Sequence, residues 1–267
     1  MSTFSLLFSF ILGVLLGSFL NVVSLRYNTG MTLKGRSKCF SCGKNLSWHE
    51  LIPIFSFIAQ KGKCKGCKGK ISWQYPIVEL MAGILFVLIF YKFPPLTAEA
   101  GFLTLYYIFI TCLLLVITVY DIKHKIIPDQ LVYLFGIIAI IKLFISTDLS
   151  FTIPSILSLL SGPILALPFA LLFLFSKGKW MGLGDAKLVL GIGWTLGIVS
   201  GISAIILAFW IGAIISVIWM YTVFKKIKSH YEIPFGPYLI LGMYLVLLFN
   251  IQIIDISIFL DYFLYSI

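Results

Sequence analysis

About eight stretches of roughly 17–24 residues run almost free of charge in this chain, and that pattern leaves few ways to fold. They lie near 4–24, 76–92, 101–120, 130–146, 153–175, 185–200, 202–223 and 237–255. In water these segments would have no polar face to present. In a bilayer each can satisfy its own backbone hydrogen bonds as a helix. Of the 267 residues, 60% are hydrophobic and 11% charged, a balance no soluble domain of this size could cover with polar surface. The expected fold is therefore an all-α polytopic membrane protein with about eight transmembrane helices. The sixth stretch is rich in glycine and the weakest of the set. The first has no basic segment before it and no small-residue cleavage site after it, so it reads as a retained helix.

Basic residues orient this bundle. Of twenty Lys and Arg, ten fall between Arg26 and Lys70. Lys123, Lys125, Lys177, Lys179, Lys187, Lys225, Lys226 and Lys228 join them on one side of an eight-span chain, against Lys92 and Lys142 on the other. The positive-inside rule makes the rich side cytoplasmic and puts both termini outside. The tail from Asp255 to Ile267 reads as an external interfacial segment. Lipid headgroups and topology account for the net charge of +10 without a nucleic acid partner.

Three domains are expected: a first helix over 1–25, a cytoplasmic domain over 26–75, and a membrane core over 76–267. The middle piece is too short to fold well on a hydrophobic core alone. It carries Cys39, Cys42, Cys64 and Cys67 as two Cys-x-x-Cys pairs separated by 21 residues, close to zinc-ribbon spacing. Each pair can place two thiolates on one edge of a tetrahedral ion. Gly43 and Gly66 are expected to give the tight turns their backbone freedom, and Lys38, Lys44, Lys63, Lys65 and Lys68 to favour thiolates. Two disulfides are the alternative, disfavoured in a reducing cytosol. A structural Zn²⁺ fits better, since four protein ligands leave no open position for catalysis. Its binding would supply folding energy the domain lacks. Cys112 reads as a packing residue.

Asp121 and Asp185 each lie where an apolar run meets a short lysine-containing loop. A carboxylate in hydrocarbon costs roughly 2.5–3.5 kcal/mol, so each calls for an explanation. Asp121 ends the third run, at a helix C-terminus where the dipole disfavours it. Asp185 follows Gly182-Leu183-Gly184, and those glycines would let an extended peptide backbone come close. Asp185 could instead be only an N-cap. Asp129, after Pro128, reads as a helix-start acid. Lys187 could pair with Asp185, or simply be solvated. If the two aspartates meet, like-charge repulsion should make them share a proton, as water activation against a peptide bond requires. The alternative is a transporter or scaffold, but an ion pathway favours acids near the bilayer midplane.

With these residues in view, the chain resembles the type IV prepilin peptidases, or leader peptidase/N-methyltransferases. The likeness runs through Gly17-Ser18-Phe19-Leu20-Asn21-Val22-Val23 and Arg26, both cysteine pairs, Glu50-Leu51-Ile52-Pro53 with Ser56, and Tyr75-Pro76-Ile77-Val78-Glu79-Leu80. It continues through Asp121, Ile127-Pro128-Asp129, the stretch from Met181 to Leu188, and Ile233-Pro234-Phe235-Gly236-Pro237. The resemblance implies an intramembrane aspartyl protease of the Gly-x-Gly-Asp kind, with Asp121 and Asp185 as the catalytic pair. Its substrates would be prepilins or pseudopilins in the lipid bilayer, cut on the cytoplasmic side of a bacterial inner membrane. It also implies methylation of the new N-terminus from S-adenosylmethionine. No Rossmann glycine fingerprint is present. A cofactor site would have to come from membrane-proximal residues, with Gly17, Asn21, Arg26 and Glu79 as candidates. Hydrogen bonding among themselves or to backbone is the duller role for Asn21 and Glu79. Pro234-Phe235-Gly236-Pro237 reads as a rigid entry to the last span.

Overall fold

The computed structural model describes residues 3–30, 32, 35–145, 150–223 and 233–253. Eight long helices match the eight apolar runs: α1 Thr3–Arg26, α3 Gln74–Lys92, α4 Ala98–His124, α5 Asp129–Leu143, α6 Ile156–Ser176, α7 Leu183–Leu196, α8 Ile198–Val223 and α9 Gly236–Phe249. The short α2, Phe55–Ala59, lies in the polar segment between α1 and α3. Among the described residues there are isolated β-bridges but no sheet. The chain is a multi-pass membrane protein. Among the described residues, five helices are long and apolar enough to cross a bilayer, and Gly236–Phe249 is a shorter apolar helix. Lys225, Lys226, Lys228 and the tail from Asp255 fall outside the described residues.

The chain forms two compact units, Met1–Val119 and Tyr120–Ile267. In the first, α1 and α3 pack through small residues. A Cβ on Gly13 would meet Ala82 O at 2.6 Å, and one on Gly83 would meet Val14 Cγ2 at 2.7 Å. Between apolar helices in lipid, close backbone approach supplies much of the attraction, so small residues mark the contact.

In the second unit α7 is the hub. A Cβ on Gly191 would strike the Phe135 ring of α5 at 2.5 Å, and one on Gly193 would strike Gly162 Cα of α6 at 2.8 Å. Polar groups close the same contact: Ser161 Oγ donates to Gly193 O at 2.9 Å and Trp194 Nε1 to Leu159 O at 2.9 Å. The glycines that weaken the sixth run as an apolar span are the ones that let two helices seat against it. Helix α8 closes on α9 where Gly242 meets the Ala204 carbonyl. Packing around α7 fixes its first turn, and Asp185 stands there.

Candidate active site and cysteine cluster

Helix α4 continues past Asp121 to His124, and Lys125 ends it in a left-handed conformation (φ 56°). Asp121 therefore sits in the last turn, where the helix dipole opposes its charge. It is only 3% exposed; the Gly236 amide lies beside its carboxylate, but Oδ2 makes no full hydrogen bond among the described residues. A buried acceptor short of a hydrogen bond is uncommon and costly, and a catalytic role is one of the explanations for it.

Asp185 is 8% exposed. Helix α7 begins at Leu183 with Gly182 as its N-cap, so Asp185 is its third residue rather than the cap. Its carboxylate has the Gly182 amide within hydrogen-bonding reach, half of a capping box. Asp121 and Asp185 are close enough to interact electrostatically. Both belong to the second unit.

Ile127 packs against the glycines beside each of them. A Cβ on Gly184 would come within 2.8 Å of Ile127 Cβ, and one on Gly236 within 3.2 Å of Ile127 Cδ1. Gly236 is a site residue that the sequence reading treated only as part of a rigid entry. It opens α9, and a Cβ there would lie 2.6 Å from Asp121 Oδ2. The signal was a glycine held between Phe235 and Pro237, but nothing in the sequence said which carboxylate it faced. Gly182 is different: its Cβ would find Asp185 Oδ2 only at 3.6 Å, an ordinary contact.

Lys187 neither pairs with Asp185 nor stands solvated. Side chains two apart on a helix do not face each other. Its Nζ reaches Asp129 Oδ1 of α5 at 2.8 Å and lies 4.9 Å from the centre of the Tyr133 ring. Asp129 keeps its place in the first turn of α5 but gains this partner.

The cysteine segment folds as two matching knuckles, 25 residues apart in the sequence. In the first, Cys39 N donates to Lys44 O and Gly43 N to Cys39 O; in the second, Cys64 N donates to Gly69 O and Lys68 N to Cys64 O, all at 2.9 Å. Bridges Lys38–Asn45 and Lys63–Lys70 close them. The left-handed position is Gly43 (φ 70°) in one and Lys68 (φ 59°) in the other. Gly66 does not take that role. Its amide instead points at Cys64 Sγ, 3.4 Å away. Amides of Cys42 and Ser41 act likewise on Cys39 and hold its thiol down to about 6.

All four sulfurs lie within 4.8 Å of one another, and Cys39 and Cys67 are 3.9 Å apart. A tetrahedral ion with bonds of about 2.3 Å needs sulfur–sulfur edges of about 3.8 Å. The cluster is thus shaped to hold a metal ion, and its cysteines are free thiols rather than disulfides. Lys44 ties the first knuckle to Glu50 at 3.0 Å.

The proposed cofactor residues lie in the first unit. A Cβ on Gly17 would meet Glu79 Cα at 2.9 Å, so this glycine is needed for the α1–α3 contact. Asn21 Nδ2 donates to Tyr75 O at 3.2 Å, and Gln74 Nε2 to Asn21 Oδ1 at 3.4 Å. Arg26 Nη1 donates to Thr32 O at 2.9 Å. Glu79 Oε2 accepts the Ile54 amide at 2.7 Å. Asn21, Arg26 and Glu79 thus each hydrogen-bond a backbone group of the first unit.

Comparison with known proteins gives two family matches. Residues 11–93 match the bacterial peptidase A24 N-terminal domain, and residues 108–217 the type IV leader peptidase family. Three curated relatives are each described as a prepilin leader peptidase/N-methyltransferase. The Pseudomonas aeruginosa protein is 33% identical, with 91% of this chain and 90% of its own covered. The Bacillus subtilis protein is 32% identical, covering 92% and 95%. The Vibrio cholerae protein is 30% identical, covering 93% and 97%. No solved structure matches the chain.

Proposed function

Because the chain belongs to the type IV leader peptidase family, we propose that it cuts the leader from prepilins or pseudopilins and N-methylates the residue exposed. The observation that carries the cleavage half is the buried pair Asp121 and Asp185 in one unit, with Oδ2 of Asp121 unsatisfied. Two such carboxylates share one proton. The ionised member takes a proton from water, which attacks the scissile carbonyl. The protonated member polarises the carbonyl oxygen through a hydrogen bond and then transfers its proton to the leaving amine as the C–N bond breaks, while its partner keeps the proton taken from water. Gly182 and Gly184 are proposed to let the extended substrate backbone approach, with Gly182 the open position of the two. Asparagine at either position removes the proton relay but keeps the shape. Cleavage of a purified prepilin by Asp121→Asn or Asp185→Asn at wild-type rate contradicts this reading.

We place the enzyme in the bacterial cytoplasmic membrane, with the aspartates and cysteine knuckles on the cytoplasmic face and the termini outside. The lysine distribution supports that orientation. Cys39, Cys42, Cys64 and Cys67 would hold Zn²⁺, which when bound supplies folding energy to the small domain. The methylation half is supported by the relatives' names. Gly17, Asn21, Arg26 and Glu79 remain the residues proposed to lie at the S-adenosylmethionine site. Labelled methyl donor and a cleaved pilin test this half directly.

A further inference from the structure

Ile54 holds a backbone conformation that its own side chain disfavours. At φ 59° and ψ −55° it is the centre of a γ-turn, closed by the Phe55 amide donating to the Pro53 carbonyl. Positive φ in a β-branched residue is a true outlier, and a γ-turn of this hand is the rare, strained one. Such strain persists only where the surroundings over-determine it.

Those surroundings are specific. Glu79 Oε2 on α3 accepts the Ile54 amide at 2.7 Å. The carboxylate is buried, and Ser18 of α1 is its other partner. Among the described residues no basic side chain pairs with it. Ile54 leads straight into α2, and α2 leads into the second knuckle. Phe57 O accepts from Gly62, Gln60 O from Lys63, and Gly62 O from Ile71, which brings the chain to Cys64. The Phe57 ring rests on Gly62 and lies 4.8 Å from Trp73 at the start of α3. A carboxylate on a membrane helix therefore grips the turn from which half of the cysteine cluster hangs.

We propose that Glu79 is a positioning residue: it latches the strained Ile54 turn and so sets the pose of the cysteine cluster on the α1–α3 pair for methyl transfer. The latch stands on the geometry alone, and the link to methyl transfer rests on the methylation half proposed above.

The test uses the full chain in lipid nanodiscs. It reads hydrogen exchange over peptides containing Ile54, together with cleavage and methylation of one prepilin. Loss of a hydrogen bond to a charged acceptor should speed exchange at Ile54 on the order of 10- to 100-fold in Glu79→Leu. Methylation should fall by more than cleavage does. Glu79→Gln keeps a neutral acceptor and should lie between leucine and wild type. Glycine adopts positive φ without strain, so adding Ile54→Gly to Glu79→Leu should recover methylation. Unchanged exchange in Glu79→Leu overturns the latch. Failure of Ile54→Gly to recover methylation overturns positioning in favour of direct contact with the reacting groups. If Glu79→Leu does not insert, unchanged exchange in Glu79→Gln overturns the latch equally. A wild type that cleaves but never methylates overturns the methylation half and its link to Glu79, while the exchange data still decide the latch.

Discussion

Gly236→Ala should disable cleavage by moving one atom pair. An added Cβ would stand 2.6 Å from Asp121 Oδ2 and 3.2 Å from Ile127 Cδ1. A relaxed carbon–oxygen contact is about 3.3 Å, so the carboxylate must retreat by about 0.7 Å or the start of α9 must shift by as much. Misplacing a reacting group by 1 Å costs about 100-fold, so a loss of roughly 10- to 100-fold in kcat is expected, with KM changed far less. Gly184→Ala should behave similarly, because its Cβ would meet Ile127 Cβ at 2.8 Å, a branch point that cannot swing aside. Gly182→Ala is the control for crowding, since its nearest neighbour would be Asp185 Oδ2 at 3.6 Å. The assay is steady-state cleavage of a prepilin by each variant in nanodiscs, with insertion checked by thermal unfolding. Gly236→Ala cleaving within about two-fold of wild type would refute the placement of Asp121 against this glycine. A severe loss in Gly182→Ala, raising KM alone, would show that the open position is needed by the substrate backbone.

Other consequences follow from the same geometry. Replacing Cys39 or Cys64 with Ser should lower bound zinc per chain and open residues 35–73 to protease, read by metal analysis and limited proteolysis; full zinc content in both variants would contradict a four-thiolate site. Lys187→Met should slow cleavage only several-fold, since a half-exposed ion pair contributes about 0.2–1 kcal/mol, and exchanging the two charges between Lys187 and Asp129 should restore most of the loss. Glu50 is held down to about 2, first by the Ser47 amide and then by Lys44. Its contribution to the small domain is therefore complete above the ordinary carboxylate range near about 4.3 and fades as pH falls toward 2. The protection factor of the Ser47 amide, its exchange rate corrected for the intrinsic pH dependence, should fall over that window, and a protection factor flat with pH would contradict the contact.

Much of the fold was legible because hydropathy and length act locally. Each apolar run needed only itself to declare a helix, and the ends agree to within about four residues except at the last, expected to reach 255 but ending at Phe249. The sixth run read weakly because Gly191 and Gly193 dilute its hydropathy, and their purpose is visible only against Phe135 and Gly162. The cysteine cluster was legible because spacing in the chain fixes the donor set. What sequence could not carry was long-range pairing of ordinary residues. Lys187 finds Asp129 across 58 positions, and Glu79 finds the Ile54 amide across 25. Gly66 was the natural choice for the second knuckle's turn, yet Lys68 takes the left-handed position there, because the knuckle's hydrogen bonds repeat in register from Cys64. Asp121 and Asp185 announced themselves by their surroundings, but their interaction depended on how residues 120–127 meet the first turns of α7 and α9.

The most direct test is cleavage of a purified prepilin by wild type, Asp121→Asn and Asp185→Asn in nanodiscs, followed by intact mass. Cleavage by wild type alone, with both variants inserted and thermally stable, is the expected result. Cleavage that survives either substitution would remove the aspartate pair from the chemistry, and with it the proton-sharing mechanism.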